Sequence, residues 1–431
     1  MRLRIQPYVG LLLIFTIGGA ANLSAQQPPQ PTAPRPAQTW SWDNVKDRFE
    51  QNNPTLLANK LNIDESKAQE ITAYLRPNPN LNLLSDQITP FNVGPSHGPL
   101  AYLLPSASVD YLHERDHKRE LRLESAKKAT GIAASTYADN ERTLLFNLRS
   151  AFVSILQAKA VLQLANDNLV YYDKLLAISR DRYSAGDIAQ IDLERLELQR
   201  VQYESDLQTA MVNLSTAKIQ LRTLLNDRTP IEQFDVTGTF DFSDKLLPQD
   251  QFRKIALDAR PDLRAANEAL GKAQTDHTLA IANGSTDPTF SVDFGRNPPI
   301  DFYFGVGVSI PLRIFDRNQG EKLRTKLDIE RNQRLLDAST AQVFSDVDSA
   351  YAAVYSNIVL LQPYKARYLQ EAVHVRDTMT FSYEHGGASL LDFLSAENEY
   401  RTVELSYENL VGAYLTAAAQ LNLAVGREVI Q

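Results

Sequence analysis

Residues 148–179, LRSAFVSILQAKAVLQLANDNLVYYDKLLAIS, carry Leu148, Ile155, Leu162, Leu169 and Leu176 at a strict interval of seven, with Ala151, Ala158, Ala165, Tyr172 and Ser179 three positions further on. One column of large residues beside one of mostly small residues is a coiled-coil seam, which implies a left-handed supercoil and close interhelical approach. Working outward, Asp116 to Arg182 spans 67 residues with Gly131 as the only glycine and no proline, and Asp316 to Ser382 is another 67 broken only by Gly320 and Pro363. At 1.5 Å per residue each would form a helix roughly 100 Å long. No globular core needs that length. In the second stretch Val347, Val354, Leu361, Tyr368 and Val375 keep the same interval. Pro363 is expected to bend that helix, because it removes an internal hydrogen bond.

Beyond the seam the chain is written twice. A shift of 200 residues superposes RYSAGDIAQID, from Arg182, on the segment around FSYEHGGASLLD, from Phe381, bringing Tyr183 onto Tyr383, Gly186 onto Gly386, Asp192 onto Asp392 and Glu197 onto Glu397. Glu204, Thr216, Ala217, Gln220 and Leu221 fall on Glu404, Thr416, Ala417, Gln420 and Leu421. Further upstream Asn53-Pro54 matches Arg260-Pro261, and Asn78-Pro79 matches Asp287-Pro288. Such a period is far longer than a solenoid repeat and implies two similar halves about a pseudo-twofold.

Each half has the same order: a modest helix (about Trp42 to Leu75, and Gln249 to Ala282), a Pro/Asn/Gly/Asp break, two short alternating segments, a very long helix, a glycine turn and a second long helix. In the second half Phe290, Val292 and Phe294 oppose Ser291 and Asp293, and Phe302, Phe304, Val306, Val308, Ile310 and Leu312 alternate with Asp301, Tyr303, Gly305, Gly307 and Ser309 around an Asn297-Pro298-Pro299 turn. In the first half Ala101, Leu103, Ala107, Val109 and Tyr111 alternate with Ser106, Ser108 and Asp110, opposite a strand around Leu81 to Ile88. Strands of this length suit a membrane barrel, where tilted strands run ~9 to 11 residues. Four strands cannot close a barrel alone, since the smallest have eight. A soluble sheet packed on the helices fits the same alternation.

Composition bounds the function. With 431 residues, 43 % hydrophobic, the chain is long enough for two or three domains and too apolar to be disordered. Absence of Cys excludes disulfides, thiolate metal sites, a cysteine nucleophile and a lipid carried on an N-terminal cysteine. A net charge of −8 argues against a nucleic-acid partner. Residues 1–25 read as a secretory signal, with Arg2 and Arg4, an apolar run from Tyr8 to Ala21, and Leu23-Ser24-Ala25 before the cut. No later segment approaches the ~20 apolar residues of a spanning helix, so any membrane crossing must use strands. Five prolines between Pro28 and Gln38 form an extended tether.

The signal, the PNPNL break, VSIPLRIFDRNQG leading into a long helix, and the twin turns RYSAGDIAQID and YEHGGASLLDFLSAENEY together resemble the outer membrane efflux protein family. The resemblance covers essentially the whole exported chain. It implies a mainly α, TolC-like α/β-barrel: a homotrimer in which each protomer gives four strands to a 12-stranded β-barrel in outer-membrane lipid, continued by a 12-helix periplasmic tube. It divides the chain into leader (1–25), tether (26–38), first repeat (39–235), a connector near the equator (236–248), second repeat (249–426) and tail (427–431). The implied function is passive conduction: an exit duct for drugs or metal ions, docked to a periplasmic adaptor (membrane fusion protein) and an inner-membrane transporter. Two alternatives are a protein-secretion duct of the same fold and a periplasmic coiled-coil adaptor or scaffold without a pore.

No catalytic apparatus, cofactor or metal is expected. His113 and His117 stand at i, i+4 but in a charged junction, DYLHERDHKRE; His97, His277, His374 and His385 are isolated; no phosphate loop, nucleotide fingerprint or nucleophile elbow occurs. Attention falls on the two glycine turns, which the resemblance places at the periplasmic tip. Gly186, Gly386 and Gly387 permit backbone angles closed to other residues. Asp192 and Asp392 begin the returning helices, where the dipole stabilises a carboxylate; trimerised, they would set six carboxylates around one axis. The resemblance makes Tyr183, Tyr383 and Asp192 gate positions, with Tyr383 and Asp192 helping to latch the closed tip. Ala388 and Ser395 stand where relatives carry a latch arginine and a second pore aspartate. Ile188, Ile191, Leu390 and Leu391 are the candidates for adaptor docking.

Overall fold

The computed structural model describes residues 38–87, 103–297 and 299–430. The leader, all of the tether but Gln38, and the strand positions Ile88 and Ala101 lie outside them. In the first half β1 (Gln38–Trp40) precedes α1 (Trp42–Asn52) and α2 (Pro54–Tyr74), then β2 (Asn80–Asp86), β3 (Leu104–Leu112), α3 (Lys118–Ala185), α4 (Gln190–Leu224) and β4 (Phe234–Val236). The second half repeats the order with α5 (Gln249–Ala259), α6 (Pro261–Ala282), β5 (Thr289–Asn297), β6 (Ile300–Ser309), α7 (Gln319–Pro363), a π-helical turn (Tyr364–Tyr368), α8 (Leu369–Glu384) and α9 (Leu390–Val425). β1 and β4 pair in parallel through Trp40 and Val236, so the connector begins at the end of a short sheet.

The modest helices expected over Trp42–Leu75 and Gln249–Ala282 are each two helices. Proline bars the α conformation to the residue before it and is welcome as the first residue of a new helix. Asn53 and Arg260 are accordingly extended, at ψ 116° and 123°. Each sends its side chain to the last helix of its own half. Asn53 donates to the Leu224 carbonyl at 2.8 Å, while Arg260 donates to the Ala424 carbonyl at 3.2 Å, positions separated by the 200-residue shift. Arg260 is buried and also grips Asp262 at 2.6 Å and Asp346 at 2.8 Å, which joins α6, α7 and α9. Removing one partner of a buried ion pair leaves uncompensated charge. Arg260→Ala is therefore expected to cost about 3 kcal/mol, seen as a lower urea midpoint of the helical signal; an unchanged midpoint would show the triad to be energetically idle.

At Pro363, where a bend is expected, the structure shows a change of winding. The helix continues through it into the π turn, where Leu369 N–H donates to the Tyr364 carbonyl, five residues back. The extra residue rotates everything downstream around the helix axis. Val347, Val354 and Leu361 are fully buried, but Val375, expected on the same seam, is 43 % exposed. Over α3, Leu148, Ile155 and Leu176 are buried and Leu162 and Leu169 half-buried. One stretch of α3 is apolar enough by length and composition to cross a bilayer, against the expectation that no helix would be. A third of that stretch is buried within the protomer, and along α3 Leu148, Phe152, Ile155 and Leu156 join Trp40, Phe49, Leu221 and Val236 in the core of the first half.

The sheet order is β2-β3-β5-β6, antiparallel throughout. Register places Leu81, Val109, Val292 and Val306 in one row, and Leu83, Ala107, Phe294 and Phe304 in the next. All eight share one face by the period of two. The opposite face holds the rows Asn82, Ser108, Asp293, Gly305 and Asn80, Asp110, Ser291, Gly307. The apolar face is open: Leu83 and Val306 are each 75 % exposed. That decides between the two sheet readings, because a soluble sheet buries its apolar face against helices.

Candidate functional site: the helical turns and the sheet

Two ends of the molecule bear on function. At one, α2 and α6 lead into strands while α3 and α7 leave them, which sets four helices below four strands in matching order: α2 packs on α3, α3 on α6, and α6 on α7. At the other, α3 packs on α4 and α9, and α8 on α9, forming two helical hairpins side by side.

Both hairpin turns close alike. Gly186 (φ 87°) and Gly386 (φ 76°) take the left-handed conformation, donating to the carbonyls of Tyr183 and Tyr383 at 3.0 and 3.2 Å. The next residues, Asp187 and Gly387, donate back to Arg182 and Ser382 at 2.9 and 2.7 Å. These are Schellman closures, which glycine makes without steric cost. Gly387 differs from expectation: its φ is not positive, and a Cβ there would meet Ser382 only at ordinary contact distance.

The returning helices start differently. Ser389 caps α9 in a reciprocal capping box: it accepts from Asp392 N at 3.2 Å, while Asp392 accepts from Ser389 N at 3.3 Å and from its hydroxyl at 2.7 Å. Asp392 thus has a full local role. Ala189 cannot cap α4 with a side chain, and Asp192 lies in the first turn with no hydrogen bond or ion pair to its carboxylate among the described residues. It acts on Tyr383 instead, adding to the burial that pushes that phenol above its ordinary range.

Asp192 of the first hairpin thus lies within electrostatic reach of Tyr383 of the second. Tyr383 is buried, stacked on Phe393 at 5.1 Å, whereas Tyr183 is exposed, so the two repeat partners have diverged. Around Tyr383, the side chains Tyr172, Leu175, Leu176, Leu196, Tyr203, Leu390 and Phe393 make a core of their own. Leu390 is thereby corrected as a docking residue, because its side chain is spent inside the protomer. Leu391 and Ile191 are exposed and Ile188 half-exposed.

One residue of this end was not singled out in the sequence. Arg182 donates from Nη1 to the Tyr383 carbonyl at 3.0 Å and lies 5.2 Å from the centre of its ring, tying the hairpins where Ala388 provides no arginine. Its only sequence signal is a cation in the last turn of a helix, which dipole capping explains equally well. Tyr171 with Thr380 at 2.9 Å and Arg401 with Asp206 at 2.9 Å tie the same two hairpins further along.

A membrane-facing sheet carried on four helices, with paired coiled hairpins at the far end, defines an outer-membrane channel. The chain belongs to the outer membrane efflux protein family, whose profile matches residues 116–227 and 253–427. It is 22 % identical over 367 residues to the cobalt-zinc-cadmium resistance protein CzcC of Cupriavidus metallidurans, covering 85 % of each chain. It is 23 % identical over 323 residues to the outer membrane protein TolC of Escherichia coli, covering 70 % of this chain and 64 % of that one. Among solved structures, CusC superposes with a TM-score of 0.77 at 18 % identity, covering 93 % of this chain and 99 % of the other. The Campylobacter jejuni CmeC outer membrane channel superposes at 0.73 with 13 % identity, covering 90 % and 87 %. The protein is an outer-membrane channel that extends into the periplasm, a transport duct and not an enzyme.

Proposed function

We propose that three copies of this chain form one duct through which an inner-membrane pump, joined by a periplasmic adaptor, expels metal ions or drugs. The observation that carries the trimer is the sheet: four strands with one apolar and one polar face, ending on β2 and β6, whose outer edges are unpaired among the described residues. In hydrocarbon an open edge is forbidden, because each bare backbone group costs several kcal/mol. Pairing β6 of one copy with β2 of the next closes twelve strands and turns the polar face inward as a water-filled lumen. The helices below repeat the logic. On α4 the exposed Ile191, Leu198, Val212 and Ile219 keep a heptad spacing, and nearer the sheet the two outer helices α2 and α7 expose Leu61 and Ile71, and Leu323, Leu327 and Leu335.

Similarity to a cobalt-zinc-cadmium resistance protein over most of both chains supports metal-ion cargo. The duct itself needs no energy source or selective pocket, since cargo selection belongs upstream. Planar-bilayer recording on the purified trimer is the test: discrete conductance is expected, and a non-conducting, water-soluble monomer overturns the reading. Gating is tested in the same experiment. Asp192→Asn with Asp392→Asn should weaken cation preference and block by multivalent cations; unchanged reversal potential and block would leave both carboxylates as helix starters only. The single variants separate the two positions, and Asp192, whose carboxylate lacks a local partner, is expected to supply most of the effect.

A further inference from the structure

Glu397, on the second turn of α9, is 4 % exposed, and its Oε1 is buried without a hydrogen-bond partner. It is the second-repeat counterpart of Glu197, which is exposed and bound to Arg180 at 2.8 Å, so the duplication has turned one of two equivalent carboxyls inward. It sits beside the tyrosine-rich core where α9 meets α3, α4 and α8.

Every group that faces it is committed elsewhere or is neutral. From α8, Arg376 pairs with Asp377 at 2.7 Å and lies over the rings of Tyr171 and Tyr400 at 4.8 and 4.1 Å. From α9 itself, Arg401 reaches Asp206 of α4 at 2.9 Å, with Tyr203 beneath it at 5.2 Å, and Glu404 adds negative charge one turn on. From α3, the Tyr171 hydroxyl binds Thr380 and the Tyr172 hydroxyl donates to the Leu196 carbonyl, each at 2.9 Å. Tyr203 of α4 and Tyr383 of α8 present neutral rings. Among the described residues no cation forms an ion pair with this carboxylate and no donor bonds Oε1, although Arg376 and Arg401 lie within electrostatic reach.

We propose that Glu397 is a proton-operated seam element: its neutral acid lets the two hairpins pack, and loss of the proton loosens one hairpin from the other, so that the periplasmic end responds to acidity. This deepens the duct reading by giving its hairpin end a regulator. Burial pushes the carboxyl up to about 7, with Asp377 adding to the rise and Arg376 and Arg401 opposing it. The sign follows from linkage. In a loosened, wetted seam the carboxyl returns toward its ordinary value of 4.5, so the packed seam binds the proton more tightly. Packing is then fully favoured below about pH 4.5, weakens as pH rises and has lost this contribution above about pH 7. Across that window the packed-to-loosened ratio falls, about tenfold for each unit that separates the two values.

Two readouts on the full-length chain test this. The protein has no native cysteine, so spin labels at Ala177→Cys on α3 and Thr378→Cys on α8, both exposed, report the spacing between hairpins without requiring a pore. The distance distribution should broaden or lengthen between pH 5 and 8 in the wild type. In Glu397→Gln, which mimics the neutral acid, it should stay at its low-pH form throughout, and Glu397→Met should do the same. Bilayer conductance should rise over the same range in wild type alone. A flat wild-type profile, or a pH response that survives both substitutions, overturns the proposal. A pH-dependent distance without conductance upholds the seam element and removes the duct.

Discussion

Val306→Arg combined with Leu83→Arg is expected to abolish recovery of the protein from the outer-membrane fraction. Both side chains stand on the open apolar face, on the two edge strands. If that face meets lipid, an arginine costs about 2–4 kcal/mol at the bilayer midplane and about 0–1 kcal/mol near the interface. At the midplane value, two per protomer over the proposed three copies cost about 12–24 kcal/mol, at or above the ~5–15 kcal/mol by which a folded protein is stable. The control is the opposite face: Ser108→Arg, in the register row between those of Leu83 and Val306, should still assemble, because there the guanidinium meets water. Fractionation with heat-modifiable electrophoresis reads both. Equal recovery of the two variants would mean that the apolar face does not face lipid, and the membrane reading would fall with it.

The second large effect is expected from Leu198→Asp with Val212→Asp on α4. Leu198 is 73 % exposed and shares its stripe with Ile191, Val212 and Ile219, yet none of these belongs to a core of the single protomer. Burying a Leu or Val side chain contributes about 1.5–3 kcal/mol, so a stripe of four covered at each of three interfaces would be a principal source of stability for the proposed trimer. Introducing two carboxylates both removes that contribution and places charge where desolvation is costly. Sedimentation in detergent should shift from trimer to monomer, while circular dichroism keeps its helical signal, because the cores within the protomer remain whole. A variant that stays trimeric would place α4 on the outside of the assembly, open to the adaptor. Ile191 would then become the docking residue that the sequence reading made of it, with Leu391, its repeat counterpart, as the second.

The hairpin end shows how much of a site a repeat can reveal. Gly186 and Gly386 were legible because a reversal between long helices needs a left-handed residue, and both occupy it. Gly387 looked equivalent on composition alone and is not, since the Schellman closure needs only one such residue. Asp192 and Asp392 read as a matched pair, but Ser389 against Ala189 gives them different surroundings, which one substitution at the cap decides. Arg182 was beyond reach because it matters through a partner in the other hairpin, about 200 residues away in sequence, and Glu397, which the repeat aligns with the exposed Glu197, carries no local sign that it is turned inward.

Periodicity and proline placement by themselves determined the long helices, the strand alternation, the twofold repeat and the turns, because these depend on neighbours within a few residues. They did not determine that Pro54 and Pro261 each start a new helix, or that the π turn after Pro363 carries Val375 off its seam. Only the tertiary structure decided which side of each element is covered. It showed the sheet to be bare on its apolar face, Leu390 and Tyr383 to be sealed inside, and Glu397 to be left without a counter-ion. Burial is a sum over segments distant in the chain, and a seven-residue interval carries no record of which distant helix will lie against it.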